Sequence, residues 1–247
     1  MSREKIEIKT KDGVCPATVF RPDDNKSYPA VIFFMDGLGI RPAILDMAER
    51  LAKYGYVVLM PDTFYRYGKY DPLVPKDVFA SGDVMKAIGH LFSTTNNEKA
   101  GRDTEAFIAY LDTRKDVLGK KIGTTGYCMG GGMALTAAGL YPDRVAAAAS
   151  FHGGKIADPT SPMSPHLLAP KMKGFIYVAG AVQDNSYPPE MAVLMEKSLT
   201  DAKVAHKCEI YEGALHGWTQ TDFPIYNKDA AERHWKELTG LYARSLN

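Results

Sequence analysis

Short, continuously apolar runs recur along this chain, and the later ones alternate with segments of helical periodicity. The runs are IEIKT near residue 8, ATVF near 18, AVIFFM at 30–35, YVVLMP at 56–61, KIGTTG at 121–126, VAAAAS at 145–150, KGFIYVAG at 173–180 and HKCEIY at 206–211. Helical patterns mark 41–54, 102–116, 129–140, 189–201 and 228–244. A strand that is apolar along its whole length is buried on both faces. The pattern therefore predicts an α/β fold: a mainly parallel central sheet of about eight strands with helices on both faces. No helix separates the first two runs, where Asp12-Gly13 reads as a hairpin turn, so the chain enters the sheet through an antiparallel pair. The least regular stretches, 62–80 (Tyr- and Pro-rich) and 155–170 (Pro- and Ser-rich), are long enough to be binding loops.

At 247 residues the chain is read as a single domain spanning 1–247, and 45% hydrophobic against 24% charged residues suit a globular protein with a sizeable core. Thirty basic and twenty-nine acidic residues leave a net charge of +1 with no long basic run, which argues against nucleic-acid or anionic-membrane partners. The N-terminal MSREKIEIKT carries charges where a secretion signal needs an apolar stretch, and no run approaches the roughly 18 apolar residues of a membrane span. A cytoplasmic location is expected. Cys15, Cys128 and Cys208 are odd in number and widely spaced, which fits neither a disulfide framework nor a zinc site. They are expected to be reduced thiols, and no metal or other cofactor is implied.

Of the three, only Cys128 has a local sequence that points to chemistry. Residues 121–134 read KIGTTGYCMGGGMA, a strand ending in Gly126-Tyr127-Cys128-Met129-Gly130 and followed at once by a helix. This is a Gly-x-Cys-x-Gly elbow in the strand–turn–helix context that gives the motif its meaning. A nucleophile on such a turn projects from the carboxyl edge of the sheet, and the flanking glycines allow strand and helix to approach where a Cβ would block them. The helix N-terminus favours a negatively charged sulfur, and the N–H of Met129 is placed to receive an oxyanion. The competing reading is a glycine-rich turn carrying a merely buried cysteine.

GYCMGG, with the strand order around it, resembles the dienelactone hydrolase family over nearly the whole chain. That resemblance implies an α/β-hydrolase fold and a Cys-His-Asp triad in the chain order nucleophile, acid, base. Asp184, in AVQDNSYPPE after the strand KGFIYVAG, matches the position of the acid, although an Asp there also suits a turn. His216 stands in Gly213-Ala214-Leu215-His216-Gly217-Trp218 after HKCEIY, matching the position of the base. Each of the three follows a different strand end, and this joint agreement outweighs the weakness of each alone. His90 and His234 fall in helical patterns, and His166 and His206 lie outside the expected turn. His152, directly after VAAAASF, is near the active edge of the sheet but is read as a packing or loop residue.

Asp36-Gly37-Leu38-Gly39-Ile40, after the third strand, corresponds to the loop that supplies the second oxyanion donor in α/β-hydrolases, assigned here to the N–H of Gly37. The family commonly has Glu where this chain has Asp36, and the resemblance gives that carboxylate a thiol-modulating role. Dienelactone-specific members carry a basic residue four positions after the histidine, where this chain has Gln220. Tyr65, Arg66 and Trp218 are candidate substrate contacts, with Arg66 able to pair with an anionic group.

The expected function is a cysteine-dependent hydrolase acting on a small-molecule ester or lactone through an acyl-thioester. Two alternatives stand beside it: a glutamine-amidotransferase-like cysteine enzyme, which would pair its His with a Glu, and a non-catalytic ligand-binding protein on a hydrolase scaffold. Oligomeric state is not legible.

Overall fold

The computed structural model describes residues 1–246. Its elements are β1 (Ser2–Thr10), β2 (Gly13–Arg21), β3 (Tyr28–Phe34), α1 (Pro42–Lys53), β4 (Val57–Pro61), α2 (Pro75–Ala80), α3 (Val84–Phe92), α4 (Asn97–Thr113), β5 (Val117–Tyr127), α5 (Met129–Leu140), β6 (Val145–Phe151), a 3₁₀ turn at Pro165–Lys171, β7 (Phe175–Ala181), α6 (Pro189–Asp201), β8 (His206–Tyr211) and α7 (Lys228–Ser245). The strands form one sheet in the order β1-β2-β4-β3-β5-β6-β7-β8. β1 and β2 run antiparallel through the predicted hairpin, with Thr10 opposite Gly13; β2 is antiparallel to β4, and every later neighbour is parallel.

Alternation along each strand divides the core between the two faces. In β3, Ala30, Ile32 and Phe34 point into a cluster that also holds Phe107 of α4, Met133, Ala134 and Ala137 of α5, and Met195 and Leu199 of α6. Val31, Phe33 and Met35 point the other way, onto Ile44 and Leu51 of α1 and Trp235, Leu238 and Tyr242 of α7. Both faces are therefore dry, which is why the strands read as unbroken apolar runs.

The stretch after β4 is more regular than its composition suggests. Pro75 opens the short α2, and α3 follows with Asp83 accepting a hydrogen bond from the Lys86 N–H as its cap. Ile88 and Val78 from this pair pack with Leu38 and Phe223 in a small separate cluster. α4 starts earlier than its apolar period predicts because Asn96 caps it, accepting from the Lys99 N–H. Among the described residues no helix is long and apolar enough to cross a membrane.

Candidate active site

Cys128 occupies the junction between β5 and α5 in a conformation that side chains rarely adopt, with φ 53° and ψ −116°. Its flanking glycines are sterically obligatory. A Cβ on Gly126 would lie 1.8 Å from the carbonyl oxygen of Gly130, and one on Gly130 would lie 2.4 Å from the carbonyl oxygens of both Phe34 and Met35. The second contact has a further consequence: the end of β3 presses on the first turn of α5, which brings the Asp36–Ile40 loop alongside the elbow. As first residue of α5, Met129 has an N–H without an intrahelical acceptor. Gly37 is covered by α3, where an added Cβ would fall 2.9 Å from the Phe92 ring. Both residues assigned as oxyanion donors thus lie on the two segments that meet at Cys128.

His216 and Asp184 come together from the loops after β8 and β7. The imidazole Nδ1 lies 2.7 Å from Asp184 Oδ2, and the Asp184 side chain is almost wholly buried. Ser186 completes this corner: its N–H and hydroxyl both donate to Asp184 Oδ1, at 2.9 and 2.6 Å, and its oxygen lies 3.0 Å from His216 Nδ1. Burial works against ionising Asp184, but His216 and Ser186 outweigh it and hold the carboxyl below its ordinary range. Burial likewise disfavours the His216 imidazolium. The Cys128 sulfur as charge and hydrogen-bond partner, together with Asp184, nonetheless raises His216 to about 10. The histidine therefore stands between a carboxylate and the candidate nucleophile, and its carboxylate partner is an Asp rather than the Glu of an amidotransferase-like site.

Expectations for four residues are corrected. Asp36 does not reach for the thiol: its two carboxylate oxygens accept from the guanidinium of Arg41 at 2.7 and 2.9 Å, Oδ1 also accepts from the Leu38 N–H, and the pair is about 1% exposed. Arg41 reaches on to Asp222 at 2.7 Å and lies over the Phe223 ring. Arg66 is not free for a substrate anion, because it donates to Asp12 and Asp103, each at 2.8 Å. Tyr65 joins the same network through Thr10 and Asp103, tying the β1–β2 turn to α4, three places from β5 in the sheet order. Trp218 is fully buried, stacked on Tyr211 and edge-on to His152, so it supports the site from behind instead of meeting substrate.

Sequence reasoning missed Ser186, Arg41 with Asp222, and the part played by His152. The histidine at the end of β6 is fully buried, and its Nδ1 accepts from the Cys128 N–H at 3.1 Å. The available signal was positional: β6 is the parallel neighbour of β5, so a residue just past its end sits beside the elbow.

This sheet order, with a glycine-flanked elbow after β5 and the Asp and His on later strand ends, defines an α/β-hydrolase. A crystal structure from Klebsiella pneumoniae subsp. pneumoniae described as a dienelactone hydrolase superposes with a TM-score of 0.83 over 98% of both chains at 20% identity. A dienelactone hydrolase-like promiscuous phosphotriesterase from metagenomic libraries gives 0.78 over 100% of this chain and 99% of its own at 18% identity. At such identities these likenesses speak for the fold. In sequence, a Synechocystis protein bearing the assigned name carboxymethylenebutenolidase is 31% identical across 89% of this chain and 87% of its own, and a hydrolase of Aspergillus violaceofuscus is 30% identical across 85% and 77%. The dienelactone hydrolase family model matches residues 15–246, and the chain belongs to that family of hydrolases.

Proposed function

We propose that this hydrolase cleaves a small carboxylic ester or lactone with Cys128 as nucleophile, through an acyl-thioester intermediate. The observation that carries the reading is the strained Cys128 elbow facing an imidazole that Asp184 holds at 2.7 Å. The sulfur attacks the carbonyl carbon, the C=O pair moves onto oxygen, and the N–H groups of Met129 and Gly37 receive that charge. Collapse expels the alkoxide, which takes its proton from His216, and leaves the acyl group on sulfur. His216 then removes a proton from water, hydroxide attacks the thioester, and the Cys128 thiolate departs with the carboxylic acid released. Asp184 keeps the proton on Nδ1 so that Nε2 faces the chemistry. A thiolate is a better leaving group than an amine, so esters and lactones, whose alkoxides depart more readily, are favoured over amides.

The test is hydrolysis of p-nitrophenyl acetate by the wild type, Cys128→Ala and Cys128→Ser, with mass spectrometry of the rapidly quenched wild type. Loss of turnover in Cys128→Ala and an acetyl adduct on the Cys128 peptide are expected. Turnover undiminished in Cys128→Ala would refute the reading, and an enzyme inert to activated esters and lactones alike would direct attention to ligand binding.

A further inference from the structure

Behind the elbow lies a hydrogen-bond chain whose direction can be worked out atom by atom. The Cys128 N–H sits 3.1 Å from His152 Nδ1, which lies alongside its other acceptor, the Phe151 carbonyl, also at 3.1 Å. A backbone N–H can only donate, so His152 Nδ1 is the acceptor and carries no proton. The ring proton is then on Nε2, 2.8 Å from Thr219 Oγ1, and the Thr219 hydroxyl in turn donates to Gln220 Oε1 at 2.8 Å. His152, Thr219 and Gln220 are all about 2% exposed or less. Cys128 and His152 are, moreover, two of the few non-glycine residues held at positive φ, 53° and 41°, and they are bonded to each other. Strain of this kind persists only where the surroundings over-determine it.

We propose that His152 is a positioning residue for the reaction: as a neutral Nε2–H tautomer, oriented by Thr219 and Gln220, it holds the Cys128 peptide and so sets the direction of the nucleophile and of the adjoining oxyanion donor. A protonated His152 would point an N–H at the N–H of Cys128 and break the chain at its origin. It would also place a second cation against His216, whose ring centroid is 5.1 Å away and whose sulfur and carboxylate partners already favour the imidazolium. The other titratable groups around the ring are Tyr127, on the strand leading to the elbow, and His234 of α7. No carboxylate hydrogen-bonds to His152 among the described residues, and burial, then His216 and His234, push it well below the ordinary histidine range.

The kinetic arm of the test rests on Cys128 being the nucleophile; a spectroscopic arm does not. In His152→Phe, which removes the acceptor, kcat falls about tenfold, the rate equivalent of one hydrogen bond, with KM within about twofold. In His152→Asn, whose Oδ1 can stand in for Nδ1, most of that loss is recovered, whereas a purely space-filling role predicts the reverse order. Nitrogen-15 spectra of the wild type and of Cys128→Ala show His152 as the Nε2–H tautomer with no titration between roughly pH 5 and 8. Thr219→Val, which removes the acceptor for that proton, allows the Nδ1–H form to appear. The proposal is overturned by an Nδ1–H or titrating His152 in the wild type, or by a folded His152→Phe enzyme with wild-type kcat. If His152→Phe does not fold, the spectra decide. Should Cys128→Ala still turn over, the nucleophile assignment fails while the tautomer result stands or falls separately.

Discussion

Replacing Arg41 by Met tests whether Asp36 is a structural group held by its arginine or an independent one. The Asp36 carboxylate and the guanidinium are each about 1% exposed and meet through two bonds, at 2.7 and 2.9 Å. Methionine fills similar space without charge and leaves Asp36 with only the Leu38 N–H as donor. Breaking a buried pair from one side costs about 3–5 kcal/mol, because the remaining carboxylate is neither solvated nor compensated. Asp222, about 28% exposed, keeps water and adds little, and the lost stacking on Phe223 adds about 0.5–1 kcal/mol. Against a total stability of about 5–15 kcal/mol, the single variant stands near the threshold of folding. Removing the orphan as well, in Arg41→Met with Asp36→Asn, recovers a large part of the loss, so the double variant is more stable than the single one. Urea unfolding at neutral pH, with slopes compared to confirm that the unfolded state is unchanged, reads both values. An Arg41→Met protein within about 1 kcal/mol of wild type, or a double variant no better than the single, would refute the argument.

Asp184→Asn removes the acceptor that holds the His216 proton on Nδ1, and kcat on an activated ester drops by as much as about 10⁴-fold with little change in KM. The same variant carries a pH signature. Folding holds the Asp184 carboxyl below its ordinary range, so its contribution is present above the unfolded value of about 3.9 and disappears as pH falls below it. The stability gap between wild type and variant therefore narrows below about pH 4 in acid titrations followed by circular dichroism. Ser186→Ala leaves the Asp184–His216 bond but removes a donor to Oδ1, and the expected fall in kcat is about tenfold or less; an unchanged rate would make Ser186 a turn residue only. Gly126→Ala forces a Cβ to within 1.8 Å of a backbone oxygen that cannot swing aside, and a loss of about 3 kcal/mol or more in thermal or urea unfolding is expected. A Gly126→Ala enzyme with wild-type stability and activity would contradict the account of the elbow.

The features legible in the sequence were those set by period and by strand ends. Unbroken apolar strands required a sheet covered on both faces, and Asp12-Gly13 marked the β1–β2 hairpin. Gly126 and Gly130 announced a close approach that the structure realises against Gly130 itself and the carbonyls of Phe34 and Met35. Cys128, Asp184 and His216 could be singled out because a strand end is a place in the fold as well as in the chain, and the last two meet at 2.7 Å. The errors concern side-chain direction. Arg66 follows β4 and so belongs to the right edge of the sheet, but its partners Asp12 and Asp103 come from a turn and a helix distant in sequence. Trp218 is two residues from His216 and turns inward onto Tyr211. The helix α3 was given no bounds beyond the helical pattern around His90, because its apolar residues cover the Asp36–Ile40 loop and Phe223 rather than the main core.

Asp36 and Gln220 depart from the family pattern for a shared physical reason. Each occupies a position where the resemblance assigns a charged side chain with a direct role toward thiol or substrate. In this chain each is instead the buried end of a private network. Asp36 has Arg41 and Asp222, and Gln220 has Thr219 and His152. Burying either polar group alone would be costly, so the departure at one position calls for a partner elsewhere: Arg41 answers Asp36 from five residues away, and the Thr219 hydroxyl, itself met by His152 from the end of another strand, answers Gln220 Oε1. Both networks end on segments that meet at Cys128, the first on the loop bearing Gly37 and the second on the Cys128 N–H itself. The strained elbow is thereby supported by hydrogen bonds on the sides where its neighbours could otherwise relax, and substitutions in these networks are expected to act on the geometry of Cys128 without touching substrate.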